Sequence, residues 1–220
     1  MIKSYLINLF CLANLSSVAG NAIQMKIQYI YFDTNLLQFA TRMLEPGFGG
    51  AVEAFNDTFD MKLKKLNISH KLREDWRALL FILATDDQLP FIFTTSKLTL
   101  KETQKAPRAV KGEMLAFYET LVNYGDPHKW GSRLTVPPPP KKGTLELLRR
   151  FLPDKNDAKH VYYSLLKRCN MFLTCDYNSI LKYRKKLREF NVNAKSPHEL
   201  VVEIYGEDLW KRGAGLLLQP

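Results

Sequence analysis

The stretch MKIQYIYFDTNLLQFA, residues 25–40, decides how the rest of the chain is read. Residues 27–32 form an apolar run rich in β-branched and aromatic side chains, the composition of a buried strand. Asp33-Thr34-Asn35 interrupts it, and Leu36 and Leu37 open a helical pattern. Open α/β sheets place their active crevice at the carboxyl ends of strands, so Asp33 stands where chemistry is often found. Asp and Asn are also favoured helix caps, and Asp33 by itself does not separate the two roles. The arrangement recurs downstream, and the recurrence favours a site.

Outward from this stretch, Leu72, Trp76, Leu79, Leu80 and Leu83 repeat at helical spacing and predict an amphipathic helix ending near Thr85. Residues 91–95 are a second β-prone run, followed by Ser96 as a cap and a helix through Lys105. Pro107 starts a helix whose apolar face is Val110, Met114, Phe117, Leu121 and Tyr124. A third strand is expected over residues 133–136, stopped by the prolines of 137–140, and a helix over residues 144–151. Asn156 or Asp157 then starts a helix that buries Val161, Leu165 and Cys169. A fourth strand over residues 171–173 runs into Thr174-Cys175-Asp176. The helix expected next turns Ile180, Tyr183, Leu187 and Phe190 inward and most of Lys182, Arg184, Lys185, Lys186 and Arg188 outward. A weak strand at 191–194 and a short helix from Pro197 through Tyr205 follow. Strands alternating with helices imply an α/β fold, a three-layer sandwich around a mostly parallel sheet.

At 220 residues the chain is long enough for one large domain with a sizeable core. A hydrophobic fraction of 46% and a charged fraction of 25% are ordinary for a globular protein. The net charge of +10, with a pI near 9.4, is not, and it points to an anionic partner, first of all nucleic acid. Cys11, Cys169 and Cys175 form no CxxC pair, which argues against a disulfide framework or zinc site and suits a reducing, cytoplasmic setting. Residues 1–24 are leader-like: Lys3, an apolar run, then small residues. They read as a secretory leader, as an extra N-terminal helix, or as codons ahead of a start at Met25. No other stretch reaches the ~18 apolar residues of a membrane span, so no membrane partner is expected. No GxGxxG or GxxxxGK[ST] loop follows a strand, which sets nucleotide binding aside.

Four acids occupy comparable places. Asp33 follows the first strand, Glu102 lies in the helix after the second, Asp157 sits in the first turn of the helix feeding residues 171–173, and Asp176 follows that strand. In a parallel sheet these points fall at one edge or beside it. Crowded carboxylates repel one another and stay ionised only where a cation neutralises them. Mg²⁺ or Mn²⁺ suits them, because hard ions take oxygen ligands and keep waters for a substrate phosphate. Such a site activates water and stabilises the leaving oxygen in phosphodiester hydrolysis.

At these residues the chain resembles the PIN-domain family of metal-dependent ribonucleases. The matching pieces are Phe32-Asp33-Thr34-Asn35-Leu36-Leu37, Leu98-Thr99-Leu100-Lys101-Glu102, Asn156-Asp157-Ala158-Lys159-His160-Val161, Phe172-Leu173-Thr174-Cys175-Asp176 and Ser196-Pro197-His198-Glu199-Leu200. The resemblance spans residues 25–206, with a helical insertion expected within 47–89 and a tail of no decisive pattern over 207–220. It implies an Mg²⁺- or Mn²⁺-dependent endoribonuclease, commonly the toxin of a toxin–antitoxin pair and commonly a homodimer. It implies Asp33, Glu102, Asp157 and Asp176 as metal-binding and catalytic residues, with Asn35 and Thr174 supporting them. Asn178 stands where some members carry a further acid, and some members keep only the fold, so a non-catalytic RNA- or protein-binding module is the alternative.

Lys97, Lys101 and Lys105 recur every fourth residue near Glu102, and Lys155 and Lys159 flank Asp157. These five are the expected RNA-backbone contacts, the kind that give affinity without sequence preference. Base contacts need rings, for which Tyr162, Tyr163 and Tyr177 are candidates. His160 reads as structural, with no partner acid of its own, and Cys175 as a buried filler.

Overall fold

The computed structural model describes residues 28–43, 61, 63–65, 67–84, 91–124, 137–208 and 210. The leader-like residues 1–24, the strand expected at 133–136, residues 47–60 and 85–89 of the expected insertion and residues 211–220 of the tail lie outside the described residues.

Among the described residues four strands form one parallel sheet: β1 (Gln28–Phe32), β2 (Phe91–Thr94), β3 (Met171–Leu173) and β4 (Ala194–Lys195), in the order β2-β1-β3-β4. The helices are α1 (Thr34–Met43), α2 (His70–Ala84), α3 (Lys97–Thr103), α4 (Arg108–Tyr124), α5 (Thr144–Phe151), α6 (Lys155–Leu166), α7 (Arg184–Leu187), continued by a 3₁₀ turn (Arg188–Phe190), and α8 (Pro197–Tyr205). Alternate strand residues enter two separate cores. Ile30, Phe32, Phe93, Met171 and Leu173 pack into one with α1, α2, α4 and α8. Tyr29, Tyr31, Ile92 and Phe172 pack into the other with α5 and α6. Burial on both faces is why these strands read as continuous apolar runs rather than as an alternation. The result is three layers, helices on either side of an all-parallel sheet. Within the 47–89 region α2 gives Trp76, Ala78, Leu79, Leu80 and Ile82 to the first core.

The strand order reverses direction between β1 and β3, and the carboxyl ends of neighbouring strands open a crevice at such a point. Local chemistry then starts a helix soon after β1, β2 and β4. Ser96 accepts the Leu98 N–H at the head of α3, and Ser196 makes a capping box with Glu199 behind Pro197 at the head of α8.

Three boundaries differ from expectation. Helix α6 begins at Lys155 because Asp154 caps it, and Asp157 then falls in the first turn. The helix expected after Asp176 is broken into turns until α7, because the Asp176 Oδ1 accepts the N–H groups of Asn178 and Ser179. Strand β4 begins at Ala194 and not at 191, because Asn191 sits at φ 61° and the Val192 N–H donates back to the Leu187 carbonyl.

Phe172 is fully buried and stacks on Tyr31 with ring centroids 5.0 Å apart. Phe172→Ala is expected to cost about 3–5 kcal/mol, a Tm drop on the order of 6–20 °C in a chain of this size, read by thermal circular dichroism. A loss under about 1 kcal/mol would mean that β3 is not a central strand.

Candidate active site

The carboxyl ends of β1 and β3 are tied together first through the backbone, the Asp33 N–H donating to the Leu173 carbonyl at 3.2 Å. Thr95 then donates its hydroxyl to the Phe32 carbonyl at 2.9 Å and draws the end of β2 alongside. Side chains lock the same junction. Thr174 donates its hydroxyl to Asp33 Oδ2 at 2.7 Å, while its oxygen accepts from Asn35 Nδ2 and from the Asp176 N–H, each at 3.0 Å. Asn35 returns the bond by accepting the Cys175 N–H at 3.3 Å. Asn35 and Thr174 therefore stand between Asp33 and Asp176.

Around this junction an open pocket of about 320 Å³ is lined by Asp33, Thr34, Asn35, Gln38, Glu102, Asp157, His160 and Asp176. The fold brings together all four acids singled out by sequence. Burial raises the pKa of Asp33 above the usual carboxyl range; His160, Thr174 and Thr34 oppose this, and Asp176 adds to it. Asp157 is pushed up to about 6, chiefly by burial; the Ser179 hydroxyl opposes this and the charges of Asp176, Asp33 and Asp154 add to it.

Glu102 behaves differently. Its Oε2 accepts the Thr34 hydroxyl at 2.6 Å and His160 Nε2–H at 2.9 Å. Burial works against its charge, but the bond and charge of His160, the Thr34 hydroxyl and the Lys105 charge together outweigh it and hold the pKa below the ordinary value. On the other side of the ring, Nδ1 lies 2.8 Å from the Tyr31 hydroxyl, which donates to Ser96 Oγ at 2.7 Å. The acids around the ring favour its protonated form, in which both nitrogens donate. Burial disfavours that charge, yet Glu102, Asp33 and Asp157 raise the His160 pKa above its usual value.

His160 thus has a partner acid, contrary to the expectation from sequence, and it belongs to the site. Its place three residues after Asp157, on the same face of α6, was the signal available for it. Gln38 shares a face of α1 with Thr34 in the same way. Tyr31 carried no such signal.

The other candidates lie elsewhere. Lys97, Lys101, Lys105 and Lys155 are exposed, Lys159 bonds Asn156 Oδ1, and the pocket lining contains none of the five. Lys105 falls beyond the end of α3, although its charge contributes to lowering the Glu102 pKa. Tyr177 spends its hydroxyl on the buried Asp75. Cys175 is buried with its thiol pKa pushed up, chiefly by burial, and is no nucleophile.

The donors facing the pocket are hard oxygens, with four carboxylates set against one imidazolium. Ser179 stands beside this group, its N–H donating to Asp176 and its buried hydroxyl next to Asp157. Among the described residues no group of three or more Asp, Glu, His and Cys side chains is placed to hold one metal ion directly between them. The donor set fits an ion such as Mg²⁺, which is held by one or two carboxylates and keeps several waters. Comparison of the chain with family models, with curated proteins and with solved structures returns no match.

The carboxyl of Asp157 binds its proton more tightly in the folded than in the unfolded chain, so its contribution to stability falls as pH rises through about 6 and is unimpaired below the ordinary carboxyl range. In chelator-treated buffer at pH 7.5, Asp157→Asn is expected to stabilise the fold by about 1 kcal/mol, or about 2–4 °C in Tm, after allowing for solvent screening. The gain disappears near pH 4. A melting curve in which Asp157→Asn lowers Tm at both pH values would contradict this electrostatic account.

Proposed function

We propose that this chain is a PIN-like ribonuclease that hydrolyses RNA phosphodiester bonds with the aid of Mg²⁺ or Mn²⁺. The observation that carries the proposal is the convergence of Asp33, Glu102, Asp157 and Asp176 on one pocket at the carboxyl edge of a parallel sheet. The net charge of +10 supports a polyanionic substrate. Asp33, Asp157 and Asp176 are the residues that would hold the ion, with Glu102 beside them. When bound, the ion supplies an activated water and charge neutralisation at the phosphate.

The chain's own residues do the rest. Thr174 and Asn35 orient Asp33, and the turn at Asn178 and Ser179 orients Asp176, the kind of support on which such sites depend. His160 and Thr34 both occupy Glu102 Oε2. Glu102 Oε1 is left to orient the attacking water or receive its proton. Tyr31 and Ser96 hold the imidazole in place from behind. The same proposal includes a toxin role with an antitoxin protein as partner, a homodimer and a cytoplasmic setting. Among the described residues no helix is long and apolar enough to cross a membrane.

Purified protein incubated with end-labelled RNA is expected to cleave it in Mn²⁺ or Mg²⁺ and to stop in EDTA. Asp33→Asn and Asp176→Asn should each lose at least about 10²-fold of that cleavage with an unchanged circular dichroism spectrum. Mn²⁺ should raise the Tm of the wild type and raise it less in either variant. Undiminished metal-dependent cleavage by both variants would overturn the assignment. Salt-sensitive RNA binding that ignores chelators, with no cleavage, would establish the non-catalytic module instead.

His160→Ala removes the cation beside Glu102, and cleavage is expected to fall about 10–10³-fold with KM for RNA little changed, because His160 acts through Glu102. A loss confined to KM would place His160 on the substrate instead.

A further inference from the structure

The end of α5 meets the segment that follows Asp176, and the meeting point is both aromatic and basic. The Phe151 ring stacks on Phe190 with centroids 5.9 Å apart and 28° between planes, and it stands 5.9 Å from Tyr183. All three rings are partly exposed over the second core. Lys186 Nζ lies 4.6 Å from the Phe151 ring centre and Lys182 Nζ 5.7 Å from that of Tyr183. Arg150, Lys182 and Lys186 are exposed, and none has a carboxylate within ion-pair distance among the described residues.

Cations that serve only solubility need no rings beneath them. Here cations and ring faces share one surface, the combination with which proteins hold single strands: charge for the backbone, rings for the bases. Position adds to composition. Asp157 lies six positions after Phe151, and the chain between them reaches at most about 20 Å. A stacked strand advancing about 3.4 Å per nucleotide covers that distance in about six nucleotides. Lys97 and Lys101 lie on α3, the helix that gives Glu102 to the pocket, so a second group of exposed cations belongs to an element that lines it.

We propose that Arg150, Phe151, Lys182, Tyr183 and Lys186 form a docking ledge for single-stranded RNA beside the carboxylate pocket. The inference rests on the proposed function for its ligand class. It goes beyond that function in naming the surface that holds the substrate. An acidic protein would use the cations but would leave the ring faces idle, and duplex RNA would offer no unstacked bases to them.

The test is fluorescence anisotropy in EDTA, where binding is read without cleavage, using a labelled 12-nucleotide unstructured RNA, its duplex, and polyglutamate. The full chain is compared with the triple variant Arg150→Glu, Lys182→Glu, Lys186→Glu and with Phe151→Leu, and thermal melting verifies that each is folded. The triple variant is expected to bind the single strand at least about tenfold more weakly, with its log Kd against log salt slope reduced by about 2, as three lost phosphate contacts require. Phe151→Leu should weaken binding about fivefold or more and leave the slope alone. Unchanged affinity and slope in the triple variant overturn the ledge, as does tighter binding of the duplex or of polyglutamate than of the single strand. The two proposals fail separately. Metal-dependent cleavage with normal RNA binding by the triple variant removes the ledge alone. Loss of binding in that variant, with no cleavage under any metal, removes the nuclease and keeps the ledge.

Discussion

The pairing of β1 with β3 is the constraint on which the remaining structure depends. These strands lie 141 residues apart at the Asp33–Thr174 contact, yet they are fastened at both ends. At one end the Asn170 N–H donates to the Tyr29 carbonyl at 2.7 Å while Asn170 Oδ1 accepts the Tyr29 N–H at 3.0 Å. At the other the Asp33 N–H reaches the Leu173 carbonyl. Between them Ile30, Tyr31 and Phe32 pair with Met171, Phe172 and Leu173. A slip of one residue would exchange the two core faces and carry Ile30 and Phe32 into the layer that now holds Tyr29 and Tyr31. It would also part Asp33 from Thr174. The two cores thus fix a register, and the register fixes the site.

What the register assembles is electrostatically unfavourable by itself. Four carboxylates share a pocket with a single imidazolium, and two of them, Asp33 and Asp157, have pKa values raised by burial and by neighbouring acids. The protein offsets part of this with short bonds: two into Glu102 Oε2, one into each oxygen of Asp33, two into Asp176 Oδ1. Each of these fixes an oxygen in place as well as stabilising its charge. A chain selected for stability alone would have little reason to keep so many acids here. Local conflicts of this sort are expected where a sequence serves something other than folding.

The parts of this arrangement that were legible in sequence are those written in short-range patterns. The β1 run, the turn to helix at Asp33, the strand over residues 171–173 and the polar tripeptide after it all announce themselves within a few residues. So do Asn35 and Thr174, which sit two residues from the acids they separate. Partnerships spanning many residues were hidden. Glu102 and His160 are 58 residues apart, Tyr31 and His160 are 129 apart, and nothing in the neighbourhood of either announces the other. The break in the helix after Asp176 was hidden for a different reason. Apolar spacing at Ile180, Tyr183 and Leu187 satisfies a helix, but it does not register that a carboxylate at the strand end competes for the backbone N–H groups. The late start of β4 follows from Asn191, whose left-handed backbone and the Val192 N–H bond to Leu187 hold residues 191 and 192 out of the sheet.

The opposed signs of surface and pocket also need one explanation. A chain of net charge +10 attracts a polyanion, and at physiological salt that attraction decays over a Debye length of about 8 Å. In the pocket lining itself carboxylates predominate, and they repel phosphate. Basic surface therefore brings a polyanion to the molecule without seating it among the acids. Seating it requires a counter-charge inside the pocket, and the one cationic side chain in the lining, His160, is already committed to Glu102. The proposed function supplies that charge from solution. Under the proposed function the division is the mechanism's safeguard: the surface sets affinity, the pocket sets reactivity, and a divalent ion is what connects them.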